Sequence, residues 1–118
     1  MNKKVEGLTK ETEAAKYLSD QGYQILSRNF RCRLGEIDII AKNDGYLVFV
    51  EVKYRTNMEM GFPEEAITSL KQKRITNTAK YYLLVNRLPE ITPCRFDVVV
   101  ILKKEIRLIK NAFDAYGF

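Results

Sequence analysis

Apolar residues recur at intervals of three and four in two stretches of the chain, and this spacing predicts two helices. The first is expected to begin at Thr9, as N-cap, and to end at about Gln21, after a polar and loosely ordered segment at residues 1–8. The second is expected over residues 69–85, with Thr68 as its N-cap.

Strands are predicted where the apolar period shortens to two or where apolar residues run on, at residues 23–30, 36–42, 46–55, 95–102 and 106–109. The turn signal Asn43-Asp44-Gly45 pairs the second strand with the third. In the third strand the valines face one side, whereas Phe49, Glu51, Lys53 and Arg55 face the other. Such a strand is expected to be central in an α/β fold of order αβββαββ, with a helix on its valine side and a cleft at its C-terminal end.

The composition of the chain limits the classes of protein to which it could belong. The 118 residues suit a single domain, residues 1–118, and a net charge of +5 favours an anionic partner such as nucleic acid. The chain has no histidine, which excludes histidine-based general bases and the usual zinc enzyme sites. It also has no apolar run typical of a signal peptide or a membrane span, so a cytoplasmic protein without a membrane partner is expected.

Three charged residues stand in otherwise apolar strands of this predicted hairpin. Asp38 lies in the second strand, and Glu51 and Lys53 lie in the third. Carboxylates on adjacent strands, with the backbone carbonyl of Val52, are oxygen ligands that suit Mg²⁺ or Mn²⁺, and Lys53 would stabilise charge on an attacked phosphate. The alternative is an exposed Glu51–Lys53 edge pair with Asp38 as a polar residue near a turn. Both acids are expected to be partly buried in these apolar strands, where uncompensated like charges are costly, and a metal or a salt bridge to Lys53 would offset that cost.

Basic residues are expected to surround this site. They are candidates for contact with a nucleic-acid backbone, or else a solvated rim: Arg28, Arg31, Arg33, Arg55, Lys71 and Arg74. Lys71 precedes the apolar Ile75 by one helical turn on the same side, so its side chain could reach the hairpin. A loop at residues 56–63 is expected to overhang the cleft.

The segments GEIDII, LVFVEVKYR, RFDVV and the C-terminal NAF together resemble the YraN family of bacterial proteins. That family is similar to the PD-(D/E)XK nuclease superfamily, and particularly to archaeal Holliday junction resolvases. The resemblance implies a restriction-endonuclease-like core, with a central mixed β-sheet flanked by helices. In such a core, an acid from the first helix joins an Asp and an E-x-K motif around magnesium.

Transferred to this chain, the resemblance assigns the Asp to Asp38, the E-x-K motif to Glu51 and Lys53, and the helix acid to Glu11, with Glu13 as the alternative. Glu11 would share a helix face with residues that pack on the sheet, although a first-turn Glu could instead complement the helix dipole.

The expected function is that of a Mg²⁺-dependent, nuclease-like endonuclease that hydrolyses phosphodiester bonds in DNA, with branched or damaged DNA as the suggested substrate. The alternative is a non-catalytic nucleic-acid-binding or adaptor module that keeps the nuclease fold. The resemblance to resolvases suggests a homodimer. Asp97 also fits the family pattern, and a structural hydrogen-bonding role is expected for it.

Overall fold

Two helices and five strands follow one another in the order αβββαββ in the computed structural model, which describes residues 3–55, 67–103 and 105–115. The elements are α1 (Lys3–Asp20), β1 (Gln24–Cys32), β2 (Gly35–Asn43), β3 (Tyr46–Arg55), α2 (Ser69–Val85), β4 (Cys94–Leu102) and β5 (Glu105–Ile109). The order is the one that the sequence predicts. The predicted loop at residues 56–63 lies outside the described residues.

The strands form a mixed sheet in the order β1-β2-β3-β4-β5. Neighbouring strands are antiparallel, except that β3 and β4 run parallel. Because α2 lies between β3 and β4 in the chain, it forms part of the crossover that a parallel pair requires. This α/β architecture is consistent with a restriction-endonuclease-like core. Neither helix in the described ranges is long and apolar enough to cross a membrane.

The central strand β3 is packed on both faces. Val48 and Val50 contact Ala14 and Leu18 of α1, as expected for the valine side. The opposite side, which carries Phe49, is covered by apolar residues of α2. Both helices are therefore anchored to the strand that carries the predicted E-x-K motif.

The start of α1 differs from the prediction. The helix begins at Lys3, and Thr9 lies inside it instead of capping it. Residues 3–8 contain Lys, Glu and Leu, which favour helix, and the interior glycine costs only about 1 kcal/mol. At a rise of 1.5 Å per residue, Glu11 lies about 12 Å along the helix from its start. It is therefore beyond the first turn, and the first turn is where the helix dipole favours acids.

Three predicted turn and helix-capping residues or segments are confirmed. Gly22, with a φ of 94°, follows the end of α1 as the predicted C′ residue. Asp44 and Gly45 form a two-residue hairpin turn with φ values of 51° and 81°. The Thr68 side chain accepts a hydrogen bond from the Lys71 backbone N–H at 3.1 Å, which caps α2.

Asp97 is buried in a network that is separate from the cleft. Its carboxylate accepts two hydrogen bonds from the Arg95 guanidinium, at 2.8 and 2.9 Å, and one from the Tyr23 hydroxyl at 2.6 Å. The Asn111 backbone N–H donates a further one, and Arg95 also donates to Asn43. Burial raises the pKa of Tyr23, as does the Asp97 carboxylate, so the hydroxyl remains a donor. The network supports the structural role predicted for Asp97.

Candidate active site

Asp38 lies where β2 separates from β3. The pairing of these strands ends at Ile39 and Val50. Beyond that point the Val52 backbone N–H donates a 2.8 Å hydrogen bond to Asp38 Oδ2 instead of to a neighbouring strand. The carboxylate thus satisfies the backbone of β3 while its other oxygen stays available for other contacts.

A cleft of about 240 Å³ opens between the start of β2 and the first turns of α2. It is lined by Gly35, Glu36, Asp38, Glu51, Lys71, Arg74 and Ile75. Gly35 permits the close approach of β2 to α2, because a Cβ atom at this position would lie 2.8 Å from the Thr78 Oγ1 atom of α2. The predicted Asp38 and Glu51 therefore share one cleft.

Three carboxylates converge beside the cleft. Oxygen atoms of Glu11, Glu36 and Asp38 all lie within 4.8 Å of one another. Glu11 Oε2 is buried, and it has no hydrogen-bond partner among the described residues. Glu13 is exposed and lies 3.6 Å from Lys10, so α1 presents Glu11 to the site.

Crowding of negative charge alters the protonation of Asp38. Burial raises the pKa of Asp38 to about 8, with further increases from the Glu51 charge and from Glu11, although the Val52 N–H opposes them. At neutral pH the Asp38 carboxyl therefore keeps a proton in the absence of a cation. A bound cation would replace this proton and relieve the repulsion.

Glu51 is held by two lysines at the floor of the cleft. Its side chain is 8% exposed, and Oε1 lies 2.8 Å from Lys71 Nζ and 3.6 Å from Lys53 Nζ. Burial lowers the pKa of Lys53, as does the neighbouring Lys71 cation. Burial also disfavours the charged form of Lys71, but the bond to Glu51 outweighs it and raises the pKa of Lys71 above its ordinary value. The two lysines thus differ in how readily they release a proton.

Two of the predicted phosphate-binding residues line the cleft. Lys71 and Arg74 both extend from the first turns of α2. Arg31 approaches from the β1 side, where its Nε atom lies 3.4 Å from Glu36. Three of the predicted basic residues therefore lie beside the acids of the cleft.

The other predicted basic residues lie outside the cleft lining. Arg28 donates a 3.0 Å hydrogen bond to the Thr12 hydroxyl of α1. Arg33 is exposed between β1 and β2. Arg55 ends β3, and its charge contributes to the lowered pKa of Lys53. The prediction that these residues bind nucleic acid stays untested.

Glu36 was missed in the sequence. It precedes Asp38 by two residues on β2 and so projects to the same side of the strand. The alternation of acids in GEID was the available signal, but the partly exposed Glu36 position resembles an ordinary surface residue.

The donor set fits a hard divalent cation. Carboxylates of Glu11, Glu36 and Asp38 supply only oxygen ligands, and Glu51 adds negative charge nearby. Mg²⁺ and Mn²⁺ prefer such ligands, commonly with water and substrate phosphate completing the shell. The buried, unpartnered oxygen of Glu11 is the feature that a cation would satisfy.

Comparison with known proteins gives the family. The model of the uncharacterised protein family UPF0102 matches residues 10–101, a span that includes every residue of the cleft. The chain belongs to UPF0102. This is the YraN family, so the resemblance seen in the sequence motifs is confirmed.

Members of UPF0102 with high similarity come from several bacteria. A UPF0102 protein of Lachnoclostridium phytofermentans is 86% identical over 117 residues, covering 99% of both chains. Those of Caldicellulosiruptor saccharolyticus and Clostridioides difficile are each 46% identical, covering 96% of this chain and 100% of the relative. The similarity therefore extends over essentially the whole fold.

Proposed function

We propose that this UPF0102 protein is a Mg²⁺-dependent, nuclease-like enzyme that hydrolyses phosphodiester bonds in DNA. The observation that carries the proposal is the convergence of Glu11 from α1, Asp38 from β2, and Glu51 and Lys53 from β3. Acids from three elements meet beside a lysine, although only two of the four residues are close in sequence. The family resemblance suggests branched or damaged DNA as the substrate.

Asp38 is the central ligand of the proposed metal site, because its pKa responds to both Glu11 and Glu51. Glu11, Glu51 and the Val52 carbonyl would complete the protein ligands, with Glu36 as an additional carboxylate. A bound Mg²⁺ or Mn²⁺ would supply an acidified water and neutralise charge on the phosphate.

Lys53 is proposed as the catalytic cation. Its side chain is only 19% exposed, and its ammonium lies 3.6 Å from Glu51, which lines the cleft. A cation held there would stabilise negative charge that grows on the phosphate oxygens. Because burial lowers its pKa, Lys53 also releases a proton more readily than an ordinary lysine.

Lys71 and Arg74 would hold the substrate backbone. Both line the cleft from α2, and phosphate contacts from Lys and Arg position nucleic acid without reading its sequence. The net charge of +5 adds a general attraction for the polyanion.

Asp38→Asn is the sharpest test, because Asn keeps an acceptor for the Val52 N–H and removes the charge. Calorimetry should detect Mn²⁺ binding by the wild type, and assays on branched, single-stranded and duplex DNA should detect cleavage. Asp38→Asn should lose both activities. Asp44→Asn, in the exposed β2–β3 turn, is the matched control and should behave as wild type. Failure of the wild type to bind metal both with and without DNA, or cleavage by Asp38→Asn at the wild-type rate, would overturn the proposal.

A binding module without turnover is the second candidate, and the pairing of Glu51 favours it. Two lysines already neutralise this buried acid, so the cleft has a stable arrangement without a cation. That candidate predicts salt-dependent DNA binding in EDTA that survives Glu51→Gln. Cleavage that requires Mn²⁺ would exclude it.

A further inference from the structure

Glu51 has one partner that a metal ion would have to displace. Lys71 Nζ lies 2.8 Å from Glu51 Oε1, closer than the 3.6 Å of Lys53 to the same oxygen. A divalent cation at Glu51 would stand beside this ammonium group, and like charges at such a distance repel strongly in a partly buried site. Lys71 therefore opposes metal binding for as long as it stays on Glu51.

Lys71 is also the group best able to move away. Its side chain is 41% exposed and extends on a flexible stem from the first turn of α2, which its backbone N–H helps to anchor through the Thr68 cap. Lys53 is more buried and extends from the central strand. Rotation of the Lys71 side chain needs no movement of the helix or the sheet.

The cleft offers Lys71 a second partner once nucleic acid is bound. Lys71 and Arg74 line the same wall, so a phosphate between them would receive two cations. The first turn of α2 also favours anions through the helix dipole. A phosphate can therefore compensate Lys71 for the loss of Glu51.

We propose that Lys71 couples substrate to metal: it pairs with Glu51 in the free protein, and it transfers to a nucleic-acid phosphate on binding, which releases Glu51 for the divalent cation. This inference rests on the proposed function and adds a regulatory step to the same site. Metal affinity is then low without nucleic acid and high with it. By thermodynamic linkage, metal must raise the affinity for nucleic acid by the same factor.

The test measures Mn²⁺ affinity by calorimetry with and without a forked DNA whose phosphorothioate linkages resist hydrolysis. For the wild type, we expect the DNA to strengthen Mn²⁺ binding by about tenfold, within the usual range of coupling. Lys71→Met should bind Mn²⁺ alone about two- to fivefold more tightly, as expected for removal of a partly exposed ion pair, and DNA should add nothing further. Lys71→Gln repeats the test with a polar neutral side chain.

Lys73→Met is the matched control, since Lys73 is exposed on the same helix and does not line the cleft. It should keep the wild-type coupling. Tighter Mn²⁺ binding by Lys71→Met with undiminished coupling would overturn the inference, because a general charge effect would then explain it. Absence of coupling in a wild type that binds Mn²⁺ would also overturn it and leave the proposed function standing. A wild type that binds no Mn²⁺ in either condition would overturn both.

Discussion

Asp38→Asn should remove a pH dependence of stability from the metal-free protein. In the folded state the Asp38 pKa is about 8, whereas a carboxyl in an unfolded chain ionises near pH 4. Between these values the folded protein holds a proton that the unfolded chain has lost. Stability therefore falls as the pH rises from about 4 to about 8, and it stays low above that window. Below pH 4 this group contributes no penalty.

The magnitude follows from linkage. The free energy of unfolding falls by about 1.4 kcal/mol per pH unit within the window. From about pH 6 to about pH 8.5, Asp38 alone accounts for a loss of about 2.5 kcal/mol. Asn cannot ionise, so Asp38→Asn should gain that amount relative to the wild type over the same interval. Mn²⁺ should restore the wild type at high pH, because cation binding stabilises the ionised folded form.

Urea unfolding of both proteins in EDTA, at a series of pH values, measures this difference directly. Titrating groups far from Asp38 affect both proteins alike, so the difference between the two curves reports Asp38 together with its coupling to Glu11 and Glu51. Parallel curves from pH 6 to 8.5 would refute the reasoning, since they would mean that the folded carboxyl is already ionised at pH 6.

Three further predictions concern other parts of the molecule. Glu11→Gln should weaken Mn²⁺ binding in calorimetry by at least about tenfold, whereas Glu13→Gln, at an exposed position two residues away, should not change it. Gly35→Ala should cost about 1–3 kcal/mol in urea unfolding, because its Cβ would lie 2.8 Å from Thr78 Oγ1, and Thr78→Ala should recover part of that loss. Asp97→Ala should cost about 3–5 kcal/mol in the same assay, since it leaves a buried guanidinium without its anion.

Each of these three predictions has an outcome that would contradict it. Equal Mn²⁺ affinities of Glu11→Gln and Glu13→Gln would mean that α1 contributes no ligand to the site. An additive double variant at Gly35 and Thr78 would mean that the two residues do not clash. Glu105→Gln, which breaks the exposed pair with Arg107, should cost less than about 1 kcal/mol, and an equal loss for Asp97→Ala would contradict its buried role.

The parts of the fold that were predicted to the residue are those with local chemistry. The start of β3 follows from a turn that requires positive φ at Asp44 and Gly45, and the start of α2 follows from the Thr68 cap. The start of α1 was wrong because residues 3–8 have acceptable helix propensity without a periodic apolar stripe. Their helical state therefore depends on continuation from the packed part of α1.

The residues of the candidate site also differ in whether the local sequence could predict them. Asp38 and Glu51 stood out because acids in apolar strands demand compensation, and that is a property of the local sequence. The approach of Glu11 to Glu36 depends on how α1 lies across the sheet, which no local pattern specifies. Lys71 was expected to reach toward the hairpin. That it pairs with Glu51 depends on how α2 is positioned against β3, which the local sequence does not specify.

A crystal structure of the protein grown with Mn²⁺ would test the central claim most directly. The account predicts anomalous density for the ion in contact with Asp38, among the carboxylates of Glu11, Glu36 and Glu51. The same experiment on Asp38→Asn should show none. An empty cleft in wild-type crystals at saturating Mn²⁺, with Lys71 still on Glu51, would contradict it.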